Sequence, residues 1–227
     1  MLLLRLIIRV VIITAIYAGV LFLPAGTLDW WRAWVFLAVM FLTMTATGAW
    51  LYVHNKVLLE ERLAPLVQRE QPRADKIVLL LFLVFYAGSV LFIPLDVFRL
   101  KLLDKPAGVV STLGLVLLGL GTWVIFRAMK DNTFATPVIK HQEDREHRVV
   151  DTGIYGVVRH PMYAGFIPMA IGAALWLESY AAAALMALPV SALVARIVIE
   201  EAFLRRELPG YEAYSHKVRY RLIPFVW

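Results

Sequence analysis

The residues best suited to chemistry lie in a polar passage, residues 142–163, which reads QEDREHRVVDTGIYGVVRHPMY. It is the longest polar passage in an otherwise apolar chain, and it ends in Arg159, His160 and Pro161 at the start of a new apolar segment. Charged and hydrogen-bonding groups at the edge of a membrane cost free energy unless they bind something. This passage is therefore the first candidate for a functional site.

A second pair of candidates, Arg196 and Glu200, lies in the last long apolar segment. The two residues are four apart and so share one face of a helix. His160 lies before Glu178, at one side of the polar turn, and Glu200 lies after Tyr180, at the other side. Counted outward from these two turn residues, each lies about 27–30 Å along a helix, and hence at the same level of the membrane. The alternative is an Arg196–Glu200 ion pair that neutralises itself near a helix end. Glu201, the next residue, is expected to face outward.

The end of the polar passage predicts a helix N-terminus. Pro161 suits the first helical position, where its missing N–H costs nothing. Arg159 and His160 would then lie at a helix end whose partial positive charge favours a bound carboxylate. Gly153 and Tyr155, just upstream, indicate a turn that lets the backbone approach a ligand closely.

Several other chemistries lack their signatures. His141 and His147 are six apart without a companion pair, and the sequence has no HExxH, so no metal site is predicted. It also has no glycine-rich phosphate loop and no G-x-S-x-G elbow. The absence of cysteine removes thiolate nucleophiles and thiolate metal sites.

The composition predicts an all-α integral membrane protein. Of the 227 residues, 61% are hydrophobic and 18% charged, whereas about a quarter are charged in soluble domains. The apolar residues form about six runs of transmembrane length. These runs cover residues 6–23, 34–53, 77–95, 107–129, 162–177 and 181–203. The last two form a tight helical hairpin, because only Glu178, Ser179 and Tyr180 separate them. Residues 1–129 would be a four-helix scaffold and residues 130–227 the catalytic region.

Two smaller features concern helix packing. The loop from residue 54 to residue 76 mixes charges with leucines and predicts an interfacial amphipathic helix, broken near Pro65. Gly114, Gly119 and Gly121 in the fourth run would allow a neighbouring helix to approach closely.

The distribution of basic residues predicts the orientation. The N-terminus, the 54–76 loop, residues 127–159 and the tail after residue 203 hold eighteen Lys and Arg. The opposite loops hold four, namely Arg32, Arg99, Lys101 and Lys105. The positive-inside rule then places both termini and the candidate site in the cytoplasm. Attraction of these Lys and Arg residues to anionic membrane lipids explains the net charge of +6 more simply than binding to nucleic acid does.

Two motifs in this sequence resemble those of a known family. Residues 147–163 are similar to H-x-L-V-x-x-G-x-Y-x-x-x-R-H-P-x-Y, although Gln142 lies closer to His147 than the family's glutamine does. RIVIEEAFL, from Arg196, and PGYEAY, from Pro209, are similar to R-x-x-x-E-E-x-x-L and G-Y-x-x-Y. The family is that of integral-membrane methyltransferases of the isoprenylcysteine carboxyl methyltransferase type, with their phospholipid-methylating relatives. The resemblance covers roughly residues 127–227, so it does not extend to acceptor specificity.

The resemblance implies that S-adenosylmethionine is the cofactor and that the methyl acceptor is hydrophobic or lipid-linked. Arg196 would face the acceptor, and Arg196 and Glu200 would be the catalytic residues. The residues implied to line the cofactor site are Gln142, His147, Arg148, Val149, Val150, Tyr155, His160, Pro161, Met162, Tyr163 and Glu200.

Methyl transfer from a sulfonium is an in-line displacement that needs positioning more than acid or base catalysis. Glu200 can hold ribose hydroxyls or the cofactor's amino group, and the helix end at His160 can hold its carboxylate. Tyr155 or Tyr163 can face the sulfonium in a cation–π contact. An acceptor carboxylate is already ionised and needs only Arg196 to orient it. An amine acceptor would have to lose a proton to a nearby histidine or glutamate.

Two other classes of function compete with this interpretation. The ending YSHKVRYRLIPFVW resembles steroid and sterol reductases, and a basic cluster could bind the phosphates of NADPH. That cluster would consist of Arg205, Arg206, Arg219 and Arg221. A channel, carrier or scaffold would bury charges near the midplane of several spans, whereas the first four runs are almost free of charge at their centres. The paired motifs favour the methyltransferase, with an acceptor that enters sideways from the bilayer.

Overall fold

The computed structural model describes residues 1–68, 71–139 and 148–227, and these residues are mainly helical with no β-strand. The helices are α1 (Leu2–Ala25), α2 (Trp31–His54), α3 (Lys56–Leu63), α4 (Arg73–Leu95), α5 (Gly108–Asp131), α6 (Pro161–Trp176), α7 (Tyr180–Leu185), α8 (Ala187–Glu207) and α9 (Tyr211–Lys217). A π-helical turn (Asp96–Leu100) extends α4, and a 3-10 turn (Gly153–Gly156) precedes α6. The all-α prediction is confirmed.

Helix length and composition identify an integral membrane protein. Within the described ranges, five helical segments are long and apolar enough to cross a membrane. They are Leu2–Ala25, Trp31–His54, Arg73–Leu100, Gly108–Asp131 and Tyr180–Glu207. The sixth apolar run forms α6, which has 16 residues. At about 1.5 Å per residue α6 is shorter than the roughly 30 Å hydrocarbon core, so its length does not confirm a sixth span.

One end of the bundle is closed by contacts around the turn that follows α6. The Arg32 guanidinium donates to the Trp176 carbonyl (3.2 Å), and the Trp176 indole N–H donates to the Arg32 carbonyl (2.9 Å). Arg32 and Lys105 also form ion pairs with Glu178, at 3.4 and 3.3 Å. The start of α2, the segment before α5 and the end of α6 therefore meet here. We call this the turn end, and the opposite end, which holds His160 and Glu200, the site end.

The turn between α6 and α7 is short, as expected. Glu178 adopts a left-handed conformation (φ 72°), and the Ser179 hydroxyl oxygen accepts the Ala182 N–H (2.9 Å) as an N-cap. The same hydroxyl donates to the buried Asp96 carboxylate (2.6 Å). Beyond the turn the two arms diverge, since α6 packs mainly on α5 and α8 packs mainly on α4.

Glycines bring α5 and α6 together. A Cβ at Gly114 would lie 2.8 Å from the Gly172 carbonyl oxygen, and a Cβ at Gly165 would lie 2.8 Å from the Gly121 carbonyl oxygen. The close approach predicted for Gly114 and Gly121 is therefore confirmed. The expectation for Gly119 is wrong, because nothing lies within 4 Å of a Cβ built there.

The short helix α3 lies across the site end. It ends before Pro65, as the sequence predicts. The Arg9 guanidinium of α1 donates to the Leu63 carbonyl (3.0 Å), and the Arg62 guanidinium donates to the Ala135 carbonyl (2.7 Å). These bonds fix α3 between α1 and the segment that follows α5.

Candidate functional site

The site end contains a cavity of about 360 Å³ whose walls come from α3, α4, α5, α6, α8, α9 and the segments between them. The residues named from the sequence that line it are Arg148, Val149, Val150, Tyr155, His160, Pro161, Met162, Tyr163, Arg196 and Glu200. Gln142 and His147 lie outside the described residues. The structure thus brings the polar passage and the last long helix together, as the helix lengths predict.

Glu200 presents a carboxylate to this cavity. One oxygen accepts the Tyr163 hydroxyl (2.7 Å), and His160 Nδ1 lies 3.9 Å from the same oxygen. The Glu200 side chain keeps 25% of its surface exposed. Because a carboxylate offers about four acceptor positions, Glu200 retains capacity for N–H or O–H donors of a ligand.

Glu201 has a different environment, and the expectation that it faces outward is wrong. Only 1% of its surface is exposed, because one helical position turns it by about 100° toward the tail that follows α9. Its carboxylate accepts Arg159 Nε (2.7 Å) and Arg221 Nε (3.1 Å), and Arg205 Nη2 lies at 3.3 Å. The ring of His160 contributes a fourth contact, with Nε2 at 3.2 Å.

Arg159 joins the tail to the start of α6. Besides Glu201, its guanidinium donates to the Val218 carbonyl (2.6 Å) and the Arg219 carbonyl (2.9 Å). The Arg159 N–H donates to the Tyr220 carbonyl at 2.9 Å. Arg159 therefore fixes the tail that follows α9 to the start of α6, where the chain lines the cavity.

His160 and Pro161 form the helix start that the sequence predicts. Pro161 is the first residue of α6 and His160 is its N-cap residue. The His160 ring stacks on Tyr163, with centroids 5.6 Å apart and an interplanar angle of 6°. Glu201 and Tyr163 thus fix the imidazole between them, and Pro161 and Met162 place the α6 N-terminus in the cavity wall.

Arg196 is paired with an aspartate from another helix. Its Nε donates to Asp75 Oδ1 (2.8 Å), and its Nη2 donates to the Pro137 carbonyl (2.7 Å). The alternative of an Arg196–Glu200 ion pair is wrong, because within the described residues the carboxylate that Arg196 binds is that of Asp75. Arg196 also lies over the Tyr163 ring, at 5.9 Å from its centroid.

Asp75 is the residue that the sequence analysis missed. It lies in the first turn of α4, is fully buried, and also accepts the Gln71 amide (2.6 Å) and the Ile139 N–H (3.2 Å). A buried carboxylate with an arginine partner and two further donors organises the segments around it. The only signal for Asp75 in the sequence is an acidic residue next to a long apolar run. An acidic residue in an exposed interfacial loop would give the same pattern.

Three buried tyrosines contribute neutral phenols. The Tyr214 hydroxyl donates to the Tyr155 carbonyl (2.8 Å), which attaches α9 to the 3-10 turn. Burial is the main cause that raises the pKa of Tyr155, Tyr211 and Tyr214 above the usual value. At neutral pH these groups can donate hydrogen bonds and offer ring faces, but they do not act as bases.

The comparisons with known proteins agree with the motifs. Residues 109–209 match a family model described as phospholipid methyltransferase. The chain is 30% identical over 121 residues to a probable protein-S-isoprenylcysteine O-methyltransferase of Oryza sativa, covering 52% of this chain and 62% of that protein. The corresponding enzyme of Saccharomyces cerevisiae is 37% identical over 89 residues, 39% of this chain and 36% of the relative. The enzyme of Schizosaccharomyces pombe is 34% identical over 83 residues, which cover 36% of this chain and 35% of the relative.

In each of these alignments the chain spans less than two thirds of the length of the relative. The matches nevertheless confirm the resemblance to the isoprenylcysteine carboxyl methyltransferase family that the two motifs indicate.

Proposed function

We propose, from this resemblance to the isoprenylcysteine carboxyl methyltransferase family, that the protein transfers a methyl group from S-adenosylmethionine to a hydrophobic or lipid-linked acceptor. A prenylcysteine-type carboxylate, or a similar group, is the proposed acceptor. The observation that carries the proposal is the convergence of the polar passage and Glu200 on one cavity at the site end. The names of the curated relatives support the same reaction class.

The chemical groups around the cavity fit S-adenosylmethionine. When bound, this cofactor supplies an electrophilic methyl group on a sulfonium. Glu200 has open acceptor capacity for ribose hydroxyls or an amino group. The helix start at His160 suits a carboxylate, and the ring of Tyr155 or Tyr163 suits the sulfonium. Arg148, Val149 and Val150, together with Pro161 and Met162, are the other described residues proposed to hold the cofactor.

An acceptor could enter sideways from the bilayer, because the cavity wall beside α4 is apolar. Leu79, Phe82 and Leu83 form this part of the wall. Arg196 is proposed to orient an acceptor carboxylate, which needs no base because it is already ionised. When bound, the cofactor would supply its methyl group to a carboxylate oxygen as the sulfur–methyl bond breaks, and S-adenosylhomocysteine would be the product that leaves.

The site end is proposed to face the cytoplasm, with both described chain ends on that side. The support is the distribution of basic residues, since the polar passage and the tail are rich in Lys and Arg. The turn end carries few basic residues, and there Arg32 and Lys105 are paired with Glu178.

The reductase alternative is not favoured. Three of the four arginines suggested for phosphate binding contact carboxylates of α8: Arg205 and Arg221 contact Glu201, and Arg206 contacts Glu207. Because these contacts compensate their charge, the arginines are less available to phosphates.

Calorimetric titration of the detergent-purified protein with S-adenosylhomocysteine tests the proposal, with NADPH titrated in parallel. We expect binding of the first ligand and none of the second. The Glu200→Gln variant should lose S-adenosylhomocysteine binding, while Glu207→Gln, on the same helix but outside the cavity lining, should keep it. Binding of NADPH alone would replace the proposal by the reductase, and binding of neither ligand would reject the cofactor site.

A further inference from the structure

A second cavity of about 400 Å³ lies beside the first. Its walls come mainly from α1, α2, α5 and α6, with α3 at the site end. Most of its lining is apolar, and among the described residues it contains the basic groups Arg9 and Arg62 but no Asp or Glu. The two cavities share Arg62 and Ile125. A long apolar molecule in the second cavity would therefore have Arg62 beside it, at the border with the first.

Arg62 is a half-buried cation without a carboxylate partner in the part of the chain that the structure describes. Its Nη1 donates to the Ala135 carbonyl (2.7 Å) and lies 3.9 Å from the Met162 sulfur, and neither of these groups is charged. Burial lowers the pKa of Arg62 to about 10, so the side chain remains a cation at neutral pH. Even partial burial of a charge costs free energy, which a ligand anion would offset.

The two buried arginines of the first cavity differ from Arg62, because each has a carboxylate partner. Arg196 is bound by Asp75 at 2.8 Å, and Arg159 is bound by Glu201 at 2.7 Å. Their charges are compensated within the protein. Of these three guanidinium groups, Arg62 is the one whose charge no described carboxylate compensates.

We propose that Arg62 binds the anionic head of an amphiphilic ligand whose apolar chain occupies the second cavity. The ligand class is a long apolar chain that ends in a carboxylate or a phosphate. This proposal rests on the proposed function in that the ligand is the methyl acceptor. The contact between Arg62 and Met162, in the first turn of α6, places the head beside the cavity assigned to the cofactor.

Binding assays with matched probes test this assignment in detergent. The probes are N-acetyl-S-farnesylcysteine, its uncharged carboxamide and oleoyl lysophosphatidate. We expect the wild-type protein to prefer the carboxylate over the carboxamide by about tenfold or more, the size typical of a hydrogen bond to a charged group. Lysophosphatidate shows whether a phosphate head replaces the carboxylate.

Three variants locate the effect. Arg62→Gln should lose most of the preference for the carboxylate, and Arg62→Lys should keep more of it because the charge remains. Lys56→Gln removes a charge from the same helix outside both cavities and should change nothing. A carboxylate preference that survives in Arg62→Gln overturns the proposal, as does a wild-type protein that binds both probes equally.

The outcome can be separated from that of the proposed function. Each variant is also titrated with S-adenosylhomocysteine, which reports the fold and the cofactor site without involving the acceptor. Cofactor binding without an Arg62-dependent preference leaves the methyltransferase proposal standing and rejects this one. An Arg62-dependent preference without cofactor binding supports an anionic amphiphile site and rejects the methyltransferase.

Discussion

Glu200 and Glu201 are adjacent acids whose carboxylates contact different parts of the molecule. Glu200 points into the cavity and accepts a bond from Tyr163, whereas Glu201 is buried among Arg159, Arg221 and other basic groups. The first is available to a ligand, and the second holds α6, α8 and the tail together. Removing the charge should therefore affect ligand binding at Glu200 and the stability of the fold at Glu201.

We expect Glu201→Gln to lower the free energy of unfolding by roughly 3–5 kcal/mol, because it leaves buried basic groups uncompensated. Glu200→Gln should leave the thermal unfolding temperature close to that of the wild type and abolish cofactor binding. Thermal unfolding in detergent and calorimetry measure the two effects, with Glu207→Gln as the exposed control. Equal stability of Glu201→Gln and the wild type would contradict the structural role of Glu201.

The Arg196–Asp75 pair gives a second residue-scale prediction. Arg196→Ala should destabilise the protein by roughly 3–5 kcal/mol, because Asp75 stays buried without its arginine. The double variant Asp75→Leu/Arg196→Met should recover much of that stability, since both charges are removed. Thermal unfolding measures both.

The same double variant tests the proposed role of Arg196 toward the acceptor. We expect a folded protein that binds S-adenosylhomocysteine but turns over slowly. Full turnover by a stable double variant would restrict Arg196 to a structural role.

At the scale of elements, α5 and α6 are held together by glycines on both helices. Gly114 and Gly121 are seven residues apart, and so are Gly165 and Gly172, which keeps each pair on one helix face. Gly119 lies between the first two but in open space. Sequence spacing could have excluded Gly119, since five or two positions from its neighbours do not match the seven-residue repeat.

Gly121→Ala should destabilise the protein by about 1–3 kcal/mol, because the added Cβ would meet the backbone of α6 near Gly165 and Met169. Gly119→Ala is the matched control, and it should be neutral or stabilise by up to about 1 kcal/mol through the entropy of the unfolded chain. Thermal unfolding of both variants in the same detergent measures these two effects on stability. Equal effects would show that the glycine contact does not hold the helices.

The approximate bounds of the long helices and the helix start at Pro161 could be predicted from sequence, because they follow from local runs of apolar residues and from backbone chemistry. The division of the last run into α7 and α8 at Met186 was not predicted. The partners of the helices could not. A membrane helix is apolar on all sides, so its composition does not tell which face meets which neighbour, and α8 packs on α4 rather than along α6. The convergence of His160 and Glu200 followed from helix length, whereas the Asp75–Arg196 pair joins positions 121 residues apart.

The whole molecule has two ends of different character. Trp176 and the Glu178 ion pairs connect the start of α2, the segment before α5 and the end of α6 at the turn end. The cavity and most of the basic residues lie at the site end. We propose from this arrangement that α6 also traverses the bundle, which would leave both described chain ends on one side of the membrane.

Single-cysteine labelling tests this topology directly, because the sequence contains no cysteine. Leu28→Cys, at the turn end, should react with a membrane-impermeant maleimide in intact cells. Phe225→Cys, which replaces a side chain that is 87% exposed, should react only after the membrane is permeabilised. The reverse pattern would invert the orientation, and labelling of both positions in intact cells would reject the proposal that the two ends face opposite compartments.

The adjacency of Glu200 and Glu201 also limits how the last helix can vary in length. Inserting or deleting one residue within α8, between Ala187 and Glu200, would rotate both glutamates by about 100° and move them by about 1.5 Å along the helix axis. The ligand-facing acid would then leave the cavity while the buried acid lost its arginines. We therefore expect this segment to tolerate substitutions far better than single-residue insertions or deletions.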